Sequence, residues 1–272
     1  MHTMDNTDNE VHVSDAFSRQ SVVFDEIDKA SSSIVWMRER VRKEVLSYIQ
    51  PGSRMLELNC GTGIDSIYFA QKGYNVVATD NADGMLAQLN EKITNLGIGN
   101  NISSKKCSFN HLETLDEGKF DYVFSNFGGL NCTDKLYEVI SGIDKVLKPG
   151  GYFTLVIMPK VCPWEMLTVL KGYFRTAFRR FKKNGTKAHL EGLNFYCYYY
   201  SPQYVIKHAG KGYVTESIKG LCVTVPPPFI ENFFEKHPRS FRLLEKIENK
   251  IWDKAPFNRW ADHYIITMKK IS

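Results

Sequence analysis

Residues 55 to 63 read Met-Leu-Glu-Leu-Asn-Cys-Gly-Thr-Gly, an apolar run carrying one acid and ending in a glycine turn. A second run, Val76-Val77-Ala78-Thr79, closes on Asp80, seventeen residues after Gly63. Such a pair constrains the chain more than any other feature. A backbone approaches a ligand closely only where side chains are missing, which Gly61 and Gly63 supply. A carboxylate one strand over then holds two ribose hydroxyls by charge-assisted hydrogen bonds. Together the two segments build most of a nucleoside-binding site.

Around this pair, strand-like and helix-like runs alternate. Strands are predicted at 54–58, 75–79, 102–107, 120–125 and 152–158, with helices at 64–72, 82–96 and 134–147 between them. Lys148-Pro149-Gly150-Gly151 turns the chain into the fifth strand. The rhythm predicts an α/β fold, a doubly wound, Rossmann-like, mostly parallel seven-stranded sheet with ligands at the carboxyl ends of its strands. Two later strands, 213–225 and 264–268, have no crossover of their own and are expected as an antiparallel edge. The expected organisation is a disordered tail (1–13), an N-terminal helical segment (14–50) and a nucleoside-binding core (51–158). A basic, aromatic helical cap insertion (159–201) follows, then a sheet-completing region with a helical excursion (202–272).

Composition fits a globular protein, with 24% charged and 43% hydrophobic residues. The first ten residues are polar and carry no apolar leader segment. The six cysteines lack Cys-x-x-Cys or metal-like spacing, so they are expected to be reduced, with no metal and a cytoplasmic location. The formal net charge is +5, yet residues 160–187 alone carry +7, with eight bases against Glu165. Basicity is therefore local.

The ordered set Glu57-Leu-Asn-Cys-Gly61-Thr-Gly63, Asp80, Phe120-Asp121-Tyr-Val-Phe-Ser125 and Leu147-Lys-Pro-Gly-Gly151-Tyr resembles the class I S-adenosylmethionine-dependent methyltransferases over residues 50–158. A dinucleotide enzyme is the alternative, but it wants a third glycine where this chain has Ser66. The resemblance implies S-adenosylmethionine as cofactor. It implies that Glu57 orders the glycine turn, and that Asn59, Cys60, Gly61 and Gly63 wrap the methionyl portion. Asp80 would take the ribose hydroxyls, Asn81, Met85, Ser108 and Phe109 would border the adenine, and Asn126 would flank the methionine. Two departures stand out. Asn59 occupies a usual glycine position, and asparagine tolerates left-handed backbone next best. Ser108 occupies the position where an acid often meets the adenine amino group, and Asn110 is a substitute. Asp80 also reads as a helix cap, and Asp65 as a partner of the helix dipole.

The acceptor is nearly silent, because the cofactor carries the reactive electrophile. Ser125-Asn126-Phe127-Gly128 lacks the Asn/Asp-Pro-Pro-Tyr/Phe pattern of enzymes that methylate the exocyclic amines of bases or glutamine. No cytosine-5-type Pro-Cys or arginine-type acidic loop is present either. The positive clue lies in the insertion, where Leu167, Leu170, Phe174, Phe178 and Phe181 share one helical face beside Lys171, Arg175, Arg179, Lys182 and Lys183. Three readings compete: a lid over the substrate pocket, a helix making transient membrane-surface contact, and a nucleic-acid contact. Phe127, Phe174, Tyr196, Tyr198 and Tyr200 are the candidate pocket walls. Among the histidines, 111, 189, 208 and 263 are conceivable bases, none singled out, so the catalytic residue is unknown. The N-terminal helices, with Phe24, Trp36 and Arg38, are expected to fold over the cofactor. The resulting expectation is methyl transfer to a small, aromatic or lipophilic acceptor at oxygen, nitrogen or carbon. An RNA methyltransferase and a catalytically silent cofactor-binding subunit are the alternatives. Nucleic acid is the disfavoured partner, and oligomeric state is not encoded legibly.

Overall fold

The computed structural model describes residues 5–271. Two helices, α1 (Asn6–Ala30) and α2 (Ser32–Leu46), precede β1 (Arg54–Leu58), α3 (Ile64–Gln71), β2 (Asn75–Asp80), α4 (Asp83–Leu96) and β3 (Ile102–Lys106). The alternation continues through β4 (Phe120–Ser125), α5 (Leu136–Val146) and β5 (Leu147–Ile157). After two one-turn helices, α6 (Pro163–Met166) and α7 (Phe174–Ala177), come the hairpin strands β6 (Thr186–Leu190) and β7 (Leu193–Cys197). The chain closes with α8 (Pro202–Ala209), β8 (Tyr213–Leu221), α9 (Phe233–Lys236), α10 (Pro238–Ile251) and β9 (His263–Lys270).

The main sheet has seven strands in the order β3-β2-β1-β4-β5-β9-β8. The first five are parallel, whereas β9 runs antiparallel to both β5 and β8, giving the expected antiparallel edge. Strand alternation sends Leu56 and Leu58 to one face, where Leu136, Val139, Ile140 and Ile143 of α5 cover them. Met55 points to the other face, packed beneath Met37, Val41 and Val45 of α2 and Phe69 of α3. Each such fully buried side chain is worth about 1.5–3 kcal/mol, so the two apolar layers hold the sheet. Glu57 shares the face of Met55, which places a carboxyl under α2 and α3.

Four sequence expectations change. Residues 1–4 lie outside the described residues, and from Asn6 the supposed tail is helix, continuous to Ala30. The basic insertion forms no long helix; it breaks into single turns at Gly172, whose φ of 79° ends one of them. Its second half is a hairpin turning at Glu191-Gly192, both with positive φ, the geometry of a tight two-residue turn. Finally, β8 stops at Leu221 rather than 225, and the helical excursion splits at His237-Pro238.

The insertion is tied to the sheet edge by buried charge. Arg180 donates to Glu165, to Asp262 Oδ1 at 2.7 Å and to the Asp262 carbonyl at 2.8 Å, and Arg179 adds a second pair to Glu165. Cys162, Glu165 and Asp262 bring potential metal-ligand atoms within 4.8 Å of one another, but the cation between the two acids is Arg180. Burial alone would raise the Asp262 carboxyl; His263 and Arg180 outweigh it and hold it well below the usual carboxylate range. Its stabilisation is therefore complete above the unfolded value of about 3.9 and is lost as pH falls through the lower folded value. Arg180→Ala, which removes the buried cation shared by Glu165 and Asp262, should cost about 3 kcal/mol in urea unfolding at neutral pH. A loss under about 1 kcal/mol would show that the cluster behaves like a surface pair.

Candidate active site

A cavity of about 310 Å³ opens at the carboxyl ends of β1, β2 and β4, within the size range of small-ligand pockets. On its β2 side the Asp80 carboxylate accepts from the Gly61 amide at 2.8 Å and the Ala82 amide at 2.9 Å. Asp80 thus orders the glycine turn and starts α4 together, and each oxygen keeps a lone pair for a ligand. Burial raises its carboxyl above the ordinary range, although those amides pull the other way. Beside it, the Glu10 carboxylate of α1 accepts from Asn81 Nδ2 at 3.2 Å and Asn110 Nδ2 at 2.8 Å. A carboxylate offers only acceptors, so both amides must turn their nitrogens toward it. Asn110 Oδ1 is left buried and without a partner at the cavity wall. Ser108 spends its hydroxyl oxygen on the Asn110 amide, at 3.1 Å.

The opposite side is built on Asp65. This buried acid accepts from Arg38, from Arg42 Nε at 2.7 Å and from Asn126 Nδ2 at 2.8 Å, so it does more than complement the α3 dipole. Burial and the neighbouring Asp65 charge push the Glu57 carboxyl well above its usual range, and Ser66 donates to it. Asn59 holds φ at 46°, as its glycine-like position demands. Its side chain accepts from Ser125 Oγ at 2.6 Å and donates to the Asn126 carbonyl at 3.2 Å. The asparagine therefore tolerates the left-handed turn and also laces β1 to β4. Phe127 is likewise left-handed, with φ of 50°, a costly state for an aromatic residue, and Arg38 lies 4.6 Å above its ring.

The roof is α1, and the basic insertion contributes nothing to the lining. Glu10, Val13, Ser14, Phe17, Phe24 and Asp28 form one stripe of α1 that faces the cavity, joined by Ile34 and Arg38 of α2. Close approach over α4 is possible because residue 84 is glycine: a Cβ there would lie 2.4 Å from the Ser18 carbonyl oxygen. Buried Asn9 locks the roof from outside, donating to the Cys132 carbonyl at 2.8 Å and accepting from the Tyr196 amide at 2.6 Å.

The comparisons with known proteins agree with this geometry. A family model described as a methyltransferase domain matches residues 55–151. An uncharacterised methyltransferase of Synechocystis is 30% identical over 132 residues, 47% of this chain and 59% of its own length. A demethylmenaquinone methyltransferase of Listeria monocytogenes is 28% identical over 188 residues, 67% of this chain and 77% of its own. The crystal structure of Burkholderia thailandensis 1,6-didemethyltoxoflavin-N1-methyltransferase, with 1,6-didemethyltoxoflavin and S-adenosylhomocysteine bound, shares the fold. That match covers 100% of this chain and 93% of the other at a TM-score of 0.61 and 14% identity. Residues 55–151 thus match a methyltransferase domain, and the chain as a whole shares the fold of an S-adenosylhomocysteine-bound methyltransferase.

Of the residues singled out in the sequence, Glu57, Asn59, Cys60, Gly61, Asp80, Asn81, Met85, Ser108, Phe109, Asn126 and Phe127 line the cavity. Gly63 does not; a Cβ there would strike Leu89 at 2.2 Å, so its glycine serves the packing of α3 against α4. The other four pocket-wall candidates fall elsewhere. Phe174 is solvent-exposed, Tyr196 belongs to the hairpin, Tyr198 follows it and donates its amide to the Asn131 carbonyl at 2.7 Å, and buried Tyr200 donates its hydroxyl to the Thr133 carbonyl at 2.5 Å. None of His111, His189, His208 and His263 lines the cavity. Phe24 and Arg38 do lie over it as expected, whereas Trp36 turns away to donate to Glu245 at 2.7 Å. Reading missed Glu10 and Phe17, whose helical spacing with Val13, Phe24 and Asp28 was the available signal. Gly84→Val should lift α1 and weaken S-adenosylhomocysteine binding about ten-fold or more, since the clash is with backbone. Unchanged affinity, with α1 amides still protected from hydrogen exchange, would remove α1 as the roof.

Proposed function

We propose that the chain methylates a small aromatic or lipophilic acceptor, at oxygen, nitrogen or carbon, using S-adenosylmethionine held along the carboxyl edge of β1, β2 and β4. Asp80 takes the ribose hydroxyls through its spare lone pairs. Glu57, Asn59, Cys60, Gly61 and Asn126 surround the methionyl portion; Met85, Ser108 and Phe109 border the adenine. Asn110 Oδ1 accepts from the adenine amino group, because Glu10 fixes the amide with that oxygen free. The cavity's acids also suit a cofactor that arrives with a sulfonium and an ammonium group.

One observation carries the acceptor class: beyond these polar groups the wall is Val13, Phe17, Phe24, Ile34 and Phe127, an apolar and largely aromatic surface. Similarity to a demethylmenaquinone methyltransferase and to an enzyme crystallised with a flat heteroaromatic molecule supports the same class. A roof laced down by Asn9 favours a free small molecule over a base within a polymer. Bound S-adenosylmethionine would supply a methyl group to an acceptor that these residues hold in line with its sulfur; the C–S pair would stay on sulfur as a neutral thioether, and the acceptor's proton would pass to solvent on product release. Among the described residues no histidine or tyrosine lines the cavity, so the reading rests on orientation and exclusion of water. Six unpaired thiols support a cytoplasmic setting. No helix among the described residues is long and apolar enough to cross a membrane, so a lipid-soluble acceptor would be met at the bilayer surface.

Incubation with methyl-labelled cofactor and a panel of naphthoquinols, phenols and heteroaromatic amines should move label into an organic-extractable product. Label appearing only in added RNA would contradict the reading. The adenine contact has its own test. S-inosylhomocysteine, which presents a carbonyl in place of the amino group, should bind about ten-fold or more weakly than S-adenosylhomocysteine, the cost of an unpaired buried acceptor. Glu10→Gln lets Asn110 rotate and should erase much of that preference; an undiminished preference would exclude Glu10 as its positioning residue.

A further inference from the structure

Residues 163–183 present an apolar and basic surface that the catalytic reading leaves unused. Leu167, Tyr173, Phe178 and Phe181 are exposed, Leu170 is 84% exposed and Phe174 60%. Phe178 and Phe181 meet with ring centroids 6.3 Å apart, and large apolar side chains exposed this densely on one short segment ask for a partner. Lys171, Arg175, Lys182 and Lys183 stand among them, also exposed, and none is in an ion pair among the described residues. The segment's single acid, Glu165, is only 2% exposed and consumed by Arg179 and Arg180. The outward charge is therefore of one sign.

We infer that this surface docks the protein onto an anionic lipid bilayer, with the leucine and aromatic side chains entering the headgroup boundary and the basic residues meeting lipid phosphates. Two features choose lipid over other occupants. Aliphatic Leu167 and Leu170 gain from an acyl boundary but have no ring to stack on a nucleic-acid base. A second copy would bring the same unpaired positive charges face to face, which opposes self-association. The platform is also anchored: Arg180 bonds the Pro159 carbonyl at 3.3 Å and Asp262 at 2.7 Å, holding the turns against the edge strands. The segment leaves the sheet at the carboxyl end of β5, the edge along which the cavity opens at β1, β2 and β4. Docking thus brings the cavity side of the sheet toward the membrane. None of this depends on the acceptor being lipophilic.

Co-sedimentation of the full-length chain with vesicles tests the inference. The protein should bind vesicles containing phosphatidylglycerol, bind neutral phosphatidylcholine vesicles far more weakly, and dissociate as salt is raised. Leu170→Asp combined with Phe174→Asp should reduce binding about ten-fold or more. Lys171→Ala and Arg175→Ala should reduce it roughly five-fold each. All four positions are exposed and away from the cavity, so S-adenosylhomocysteine affinity serves as the control for an intact fold. Failure of the wild type to bind anionic vesicles, or binding indifferent to Leu170→Asp with Phe174→Asp, would overturn the inference. So would preferential binding of a single-stranded RNA, or a concentration-dependent dimer that Leu170→Asp dissolves. Retained cofactor affinity in any of these cases leaves the proposed function standing.

Discussion

A single carboxylate, Asp65, joins the parts that make the cavity. It starts α3, receives Arg38 and Arg42 from α2, and holds the Asn126 amide at the end of β4. Without it, Arg38 would keep only Asp28, and Asn126 would lose the bond that orients it toward the cavity. Breaking a buried pair of this kind costs about 3–5 kcal/mol, because the remaining charge stays out of water. Burial, and then the Asp65 charge, raise the Glu57 carboxyl beside this pair of arginines.

The second constraint is the closeness of α1. Its cavity-facing stripe is half polar and half apolar: Glu10 and Ser14 lie beside Asn81, and Phe24 lies beside Gly61 and Met85. One helix thereby supplies both polar and apolar lining. Gly84 permits the approach and Asn9 secures it against β7 and the turn at Cys132. The hairpin thus acts on the site indirectly, by gripping the roof; Phe195 meets Phe17 with ring centroids 6.2 Å apart.

The core was legible because its signals are local. Strand period, the glycine turn and Asp80 lie within short stretches, and the structure puts them at adjacent strand ends as their order implied. Even the Asn59 departure was readable, since asparagine's tolerance of left-handed backbone is a property of the residue. The roof was not, because a polar helix begun at Asn6 carries few apolar residues and looks like a tail until α4 and β7 are there to receive it. The insertion misled for the opposite reason. Its apolar spacing fits a helix, but Gly172 breaks the run and no core face stands opposite to bury Leu170 or Phe174. The pairings Glu10–Asn110 and Arg180–Asp262 span 100 and 82 residues, beyond the reach of any local pattern.

The central claim is that Asp80 and the glycine turn hold the nucleoside of S-adenosylmethionine beneath α1. Isothermal titration of S-adenosylhomocysteine into the wild type and Asp80→Ala addresses it most directly. Saturable one-site binding is expected for the wild type, with a loss of about a hundred-fold in the variant, the worth of two charge-assisted hydrogen bonds. No binding by the wild type, or equal affinity in a variant of unchanged circular dichroism, would contradict the account.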